Sequence, residues 1–283
     1  MDYEDLYNSC NITTGDIKQN IKQDREYYKS LFSSVQYVYP QKYQELDPHL
    51  NRYSNVYPFE NNRITVKGKY TNASPMTDYK NEKKFIACQS PLAEEIELFW
   101  EMVVQENVHI IFNLTEFDNS EKYWPDSLSK QSTLELNNGM KIRLSFEDEE
   151  YYCDRNIVKR KLYIDSKVVY HVHYVGWTDN NMPKNPKHLI KLLQFADQYN
   201  KNDTKMLVHC SAGINRTVCF IILKNIIDYI VCNHARDKEI DSLLKDELKR
   251  QRENRPMVAS NPFQTAFVLI FIQNVTKLIN NTD

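Results

Sequence analysis

Residues 206 to 230 constrain the fold more than any other stretch of the chain. Met206-Leu207-Val208 is a short apolar run that ends at His209-Cys210. Ser211 to Asn215 then carry the chain to Arg216, where a nearly unbroken apolar pattern of helical length begins (Val218, Phe220, Ile221, Ile222, Ile226). A buried strand that delivers a loop onto the start of a buried helix needs a sheet covered by helices, which places the chain in the α/β class. Such a loop turns its backbone N–H groups inward, and the helix adds the positive end of its dipole, so the segment makes an anion cradle. Gly213 is one of five glycines in 283 residues, and its place inside the loop answers a backbone need. Arg216 is planar and permanently charged, suited to gripping two oxygens of a phosphate. The same field favours the anionic form of Cys210, which is the nucleophilic form of a cysteine. The plainer reading makes Cys210 a strand-end thiol packed as a small hydrophobe; His209, Gly213 and Thr217 around it favour the chemical one.

Elsewhere the patterning alternates between strand and helix. A helix is expected from Pro91 with Ile96, Phe99, Trp100 and Val103 on one face, then a buried strand over Val108 to Leu114. Asn138-Gly139 marks a hairpin turn between two antiparallel strands. Val168 to Tyr174 reads as a strand, Pro186 starts a helix carrying Leu189, Leu192 and Ala196, and two more amphipathic helices fall around Ile240 to Leu248 and Phe263 to Leu278. These elements predict a central twisted mixed β-sheet with helices on both faces. They form one domain over 1–283, with flanking helices in 1–45 (weak periodicity from Ile17 to Phe32) and a core over 50–272.

The charge balance, 36 Lys and Arg against 38 Asp and Glu, gives −2 and argues against a nucleic-acid partner. No apolar run approaches a membrane span and the start has no signal-peptide pattern, so membrane insertion is not expected. Cys10, Cys88, Cys153, Cys210, Cys219 and Cys232 lack disulfide or metal spacing, which predicts reduced thiols in a cytoplasmic protein without a metal or other cofactor.

A thiolate that attacks a phosphate ester needs an acid to protonate the departing oxygen. Asp179, in Gly176-Trp177-Thr178-Asp179, follows the strand ending at Tyr174 and precedes Cys210 by one helix and one strand, a connection able to return its loop to the same sheet edge. An Asp in a turn is more often simply solvated, but Trp177 and the scarce Gly176 beside it favour a role.

With these residues in place, the segment from Val208 to Thr217 resembles the signature loop of the protein tyrosine phosphatases, and the resemblance runs in order through the chain. Asn51 to Phe59 resembles that family's phosphotyrosine-recognition loop, Tyr70 to Ser74 and Lys83 to Pro91 its core, with Phe99-Trp100 and Tyr123-Trp124-Pro125 following. The non-receptor members are the nearest in build, and the Asn-, Lys- and Tyr-rich composition is similar to that of phosphatases carried by insect parasitoid viruses, which would place the protein in host-cell cytoplasm.

The resemblance implies hydrolysis of phosphotyrosine in proteins through a phosphocysteine intermediate. Cys210 would be the nucleophile, Arg216 the phosphate clamp and Asp179 the general acid and then base. Ser211, Ala212, Gly213, Ile214 and Asn215 would bind phosphate, Tyr53 would stack on the substrate ring, and Asn55 and Gln264 would contact substrate or water. His209, Thr217 and Trp177 would support the loops. The oligomeric state is not legible.

Several positions depart from the family pattern. Thr178 replaces a proline and Asn180 an aromatic residue; Asn55 replaces an aspartate. Asn215 replaces a glycine, with the expectation that asparagine tolerates left-handed backbone there. Ala259 or Ser260 takes the place of the first of two glutamines, which would slow phosphoenzyme breakdown unless Gln264 covers both tasks. The loop before Tyr123 is shortened and lacks the family's lysine. These departures motivate an alternative, a phosphotyrosine-binding protein with impaired turnover. A third reading, an RNA 5′-triphosphatase suggested by Gly213 to Thr217, is disfavoured by Tyr53 and the absence of net basic charge.

Overall fold

The computed structural model describes residues 2–39, 41–42, 46–116, 121–125, 131–135, 141–199, 204–234 and 239–280. A hairpin of β1 (Thr65–Val66) and β2 (Lys69–Tyr70) leads into β3 (Ala73–Met76), β4 (Phe85–Cys88), β5 (Val108–Asn113), β6 (Gln131–Glu135), β7 (Lys141–Tyr152), β8 (Ile157–Ile164), β9 (Lys167–Tyr174) and β10 (Lys205–His209). Among the described residues, β3 to β10 form one sheet in the order β3-β4-β10-β5-β9-β8-β7-β6. β10 runs parallel to β4 and β5, and β5 parallel to β9; the outer pairs are antiparallel. The sheet is therefore mixed, as the sequence predicts.

Alternation along the central strands creates two cores. Phe85, Ala87, Ile110, Phe112, Met206 and Val208 point to one face; Ile86, Cys88, Ile111 and Leu207 point to the other. Strands buried on both faces read as continuous apolar runs. The second face is covered by α4 (Ile96–Gln105), whose Leu98, Phe99, Trp100, Met102 and Val103 are buried. This helix begins five residues beyond Pro91, after a 3-10 turn over Ala93–Glu95. The first face carries α5 (Lys187–Tyr199), α6 (Arg216–Asn233), α7 (Ile240–Asn254) and α8 (Pro262–Asn280). On α8, Phe267, Leu269, Ile270, Phe271 and Ile272 are all buried, each stabilising by about 1.5–3 kcal/mol. By length and composition alone α8 is apolar enough to cross a membrane, which corrects the expectation that no run approaches that; here its buried face is core.

The N-terminal segment forms three helices, α1 (Tyr3–Ser9), α2 (Thr14–Gln23) and α3 (Arg25–Ser33). A reciprocal capping box of Thr13 and Asp16 starts α2. These helices dock on α5, α7 and α8, where the Tyr3 hydroxyl donates to Asp197 and the Tyr27 hydroxyl to Asp241.

Asn138-Gly139 lies outside the described residues, but the strands on either side pair antiparallel, Glu135 opposite Lys141. β8 escapes a reading by hydrophobicity because it carries Lys159, Arg160 and Lys161. Those cations meet Glu150, Glu149 and Glu147 of β7 at 2.5, 2.7 and 2.6 Å, so the charges are matched across the ladder.

Candidate active site

β10 lies between β4 and β5, with His209 in register with Cys88 on one side and Asn113 on the other. Its carboxyl end therefore opens at a point where the chain connections diverge, where parallel sheets place ligands. Cys210 leaves the strand there and is almost fully buried.

The loop's carbonyls fix which way its amides point. The Ser211 carbonyl accepts from the N–H of Ser90 (3.0 Å), that of Ile214 from the N–H of Ala259 (2.9 Å), and that of Asn215 from the N–H of Cys219 (2.8 Å). Those of Gly213 and Ala212 accept from the Arg255 guanidinium at 3.1 and 3.3 Å. With each of these carbonyls bonded outward, the N–H groups are left to face the sulfur. Gly213 has φ +72°, and a Cβ there would come within 2.2 Å of the Cys88 carbonyl oxygen. Only glycine fits both demands.

Burial alone raises the Cys210 thiol. The Arg216 charge, the Thr217 hydroxyl and the N–H groups of Thr217 and Gly213 more than offset it, and the thiol sits below its ordinary value. Cys88 and Cys219, buried without that help, are pushed up. All six cysteines are free.

Asp179 is brought to the same point: its Oδ1 lies 3.1 Å from an Arg216 terminal nitrogen, while the other terminal nitrogen donates to the Trp177 carbonyl at 3.0 Å. Arg216 is 2% exposed and its Nε has no hydrogen-bond partner, a buried donor left for an anion. Trp177 is fully buried against Phe267, and its Nε1 donates to the Asn181 carbonyl at 2.7 Å. Asn180 takes the left-handed backbone, φ +56°, which asparagine tolerates.

Asn215 does not adopt that conformation. Its φ is −103°, so the expectation of left-handed backbone at this position is wrong. Its Oδ1 instead accepts from the Ser260 N–H (2.9 Å), the Ser260 hydroxyl (3.1 Å) and the Asn261 N–H (3.1 Å). Ser260, not Ala259, faces the loop by this contact; Ala259 has φ +50° and is buried. Gln264 is fully buried and its Nε2 donates to the Asn181 carbonyl at 2.7 Å.

Tyr53 is 40% exposed and its hydroxyl shares a hydrogen with the Ser211 Oγ at 2.8 Å. Arg52 anchors this loop through its N–H to Gln89 and its guanidinium to the Ser90 and Pro91 carbonyls. Asn55 is exposed on the same loop. Residues 117–120 lie outside the described residues, so the shortened stretch before Tyr123 is not described throughout.

Behind the loop, His209 Nε2 is 2.7 Å from the Tyr123 hydroxyl, which is 2.9 Å from His171 Nε2. His171 Nδ1 faces Arg160 at 3.2 Å. Arginine can only donate, so His171 Nδ1 accepts and its Nε2–H donates to Tyr123. Tyr123 then donates to His209 Nε2, which leaves the proton of His209 on Nδ1, toward the Cys210 carbonyl at 3.4 Å. Burial holds His209 neutral, pushed down to about 3.

Sequence reading missed Arg255, Asn181 and the Arg160 to His209 chain. Arg255 is fully buried and also bonds Asn72 (2.6 Å) and Ser74 (3.2 Å); a single Arg beside Pro256 gives no local signal of that. Among the described residues, no group of three or more His, Cys, Asp or Glu is placed to hold a metal ion.

Residues 47–274 match the family model for protein-tyrosine phosphatase. The chain is 30% identical over 245 residues to receptor-type tyrosine-protein phosphatase eta of Gallus gallus, covering 80% of this chain and 16% of that protein. It is 27% identical over 241 residues to the human receptor-type tyrosine-protein phosphatase alpha, covering 75% and 29%. The chain thus spans less than a third of the length of these relatives. A solved structure of PTPN18 superposes with a TM-score of 0.70 at 21% identity, over 81% of this chain and 83% of that one. Another, of PTPN18 with HER2-pY1248 phosphopeptides, gives 0.69 at 20% identity, over 80% and 87%.

Proposed function

Because this chain belongs to the protein-tyrosine phosphatase family, we propose that it hydrolyses phosphotyrosine in proteins through a phosphocysteine intermediate. The observation that carries the reading is the meeting of three groups: a buried thiol held below its ordinary value, the Arg216 guanidinium beside it, and Asp179 3.1 Å from that guanidinium.

In this scheme the Cys210 thiolate attacks phosphorus in line. The inward N–H groups of the loop and the Arg216 fork take the equatorial oxygens, and Asp179 protonates the departing tyrosine oxygen. Water then attacks the phosphocysteine, Asp179 takes its proton, and Cys210 departs as thiolate. Positioning and charge stabilisation supply most of the rate in such a transfer. The Thr217 hydroxyl, buried and without another partner, is placed to donate to the sulfur as it leaves. Tyr53, over Ser211, would flank the substrate ring; stacking of that kind adds about 0.5–1.5 kcal/mol beyond area burial. PTPN18, the structural neighbour, has been solved with phosphopeptides, which supports phosphotyrosine proteins as the substrate class. Free thiols throughout support action in a reducing compartment, the cytoplasm.

The test is phosphate release from a phosphotyrosine peptide by the wild type beside Cys210→Ser. Turnover that disappears in the variant, by at least about 10⁴-fold, supports the scheme. Equal turnover in both would sink it, and tight peptide binding without turnover by either would establish a phosphotyrosine-binding protein instead.

A further inference from the structure

The loop that carries Asp179 is anchored unevenly. Its entry is fixed by β9: Tyr174, the last residue of that strand, is fully buried, and a Cβ on Gly176 would lie 2.5 Å from the Tyr174 ring. The neck is closed by one backbone bond, from the Lys184 N–H to the Gly176 carbonyl at 2.8 Å. The exit has less to hold it. From Met182 to Pro186 the chain is neither strand nor helix, and Pro183 and Pro186 have no N–H to give.

What meets the exit is Thr14, the first residue of α2. Its hydroxyl donates to the Pro183 carbonyl at 2.7 Å, with the Lys184 carbonyl beside it at 3.1 Å. A hydroxyl has one hydrogen, so the shorter contact is the bond. Thr14 is itself held in place. Thr13 and Asp16 on either side form the capping box, Ile17 and Ile21 of the same helix are buried, and α2 packs on α8. The preceding helix grips α5, which follows the exit. At the start of α5, Lys187 Nζ stands 5.3 Å from the centre of the Tyr7 ring. Near its end, Asp197 takes the Tyr3 hydroxyl and pairs with Lys224 at 2.6 Å. Neither α1 nor α2 lies within residues 47–274, the part that matches the family model.

We infer that Thr14 is a positioning residue for the proposed general acid: α1 and α2 form a strap that fixes the exit of the Asp179 loop through the Thr14 hydroxyl and, across the neck bond, the approach of Asp179 to the leaving oxygen. The inference rests on the proposed function above. Thr14 touches no substrate and acts only through the acid. Its loss therefore weighs most on leaving groups that depart poorly as anions, because those depend most on receiving a proton.

The experiment reads that dependence. Values of kcat/KM, which run only through cysteine phosphorylation, are measured for phenyl phosphate and for 4-nitrophenyl phosphate, whose anion leaves with less need of a proton. The proteins are wild type, Thr14→Val and Thr14→Ser, each also combined with Asp179→Asn, with thermal unfolding followed beside them. Thr14→Val is expected to lower the phenyl phosphate value about three- to ten-fold and the nitrophenyl value by less than about two-fold. Thr14→Ser, which keeps the hydroxyl, is expected to match wild type, and Thr14→Val is expected to add nothing in the Asp179→Asn background. Should Thr14→Val not fold, Thr14→Ala removes the same hydroxyl and makes the same comparison. An equal loss on both substrates, a loss that persists with Asp179→Asn, or a Thr14→Ser that behaves as Thr14→Val overturns the inference and leaves Thr14 a structural contact. No loss in any Thr14 variant overturns it too. A wild type without Cys210-dependent turnover would sink the underlying function instead, a result seen before any Thr14 variant is compared.

Discussion

The proposed nucleophile and the proposed acid stand side by side, yet the protein holds them by different means. The loop from Cys210 to Asn215 is buried or half-buried. It is pinned from outside by Ser90, Arg255 and Ala259, and wedged at Gly213 against the Cys88 backbone. The loop of Asp179 carries an acid whose side chain is 45% exposed. It is tied by side chains: the Trp177 indole to Asn181, Gln264 to Asn181, Arg216 to the Trp177 carbonyl. The first loop is held largely through its own backbone, whereas the second depends on side chains that are themselves buried, Trp177, Gln264 and Arg216, and breaking such ties leaves desolvated groups without partners. The contrast teaches that the anion site is set by the backbone of its own loop, while the position of Asp179 depends on side-chain contacts, including those of Arg216 and Gln264 from outside its loop.

The sharpest break in this comparison is expected from Asp179→Asn. Turnover of a phosphotyrosine peptide should fall about 10²–10⁴-fold, while thermal unfolding stays within about 0.5 kcal/mol of wild type because the residue is half-exposed. A loss of stability as large as the loss of rate would show that Asp179 is structural. Gly213→Ala should do the reverse in kind: the added methyl meets the Cys88 carbonyl and a disfavoured φ, lowering stability by about 2–5 kcal/mol and removing turnover with it. Retained activity in that variant would mean the loop is not wedged.

Stability also depends on pH, through the histidines packed behind the phosphate loop. Burial holds His209 and His173 down to about 3, and His171 is lowered too, whereas an unfolded histidine titrates near 6.5. Between those values the unfolded chain binds protons that the native core refuses, so stability is full above about pH 6.5 and falls as pH drops toward 3. The slope is about 1.4 kcal/mol per pH unit for each such histidine. Denaturant titrations from pH 7 to 4 should show this, and His173→Gln should flatten the slope by about one histidine. The smallest effect is expected at Asn180. With φ +56°, Asn180→Ala should cost about 1 kcal/mol and Asn180→Gly nearly nothing, read by the same titrations.

Local patterning carried much of the fold because the central strands are short, apolar and bounded by turns, and because the helices after Pro186 and Arg216 repeat at helical spacing. It failed at β8, where Lys159, Arg160 and Lys161 look like surface until β7 brings Glu150, Glu149 and Glu147 across them. At the site, Cys210, Gly213 and Arg216 were legible together, since a loop of fixed length between strand and helix leaves little freedom. Asn215 was noticed and misread: its backbone lies at φ −103°, and its use is a side-chain contact with residues more than forty positions away.

That a cysteine and an arginine share one loop on a helix start, with an aspartate one strand and helix upstream, is legible along the chain, because each of those facts depends on sequence neighbours. What holds them is settled by packing. Arg255 behind the loop, Asn215 against Ser260 and Asn261, Gln264 on Asn181, and the Arg160 to His209 chain all join residues distant in sequence. Hydrogen bonds of that kind obey no period, since they are chosen by which buried donors and acceptors the packed core leaves facing one another.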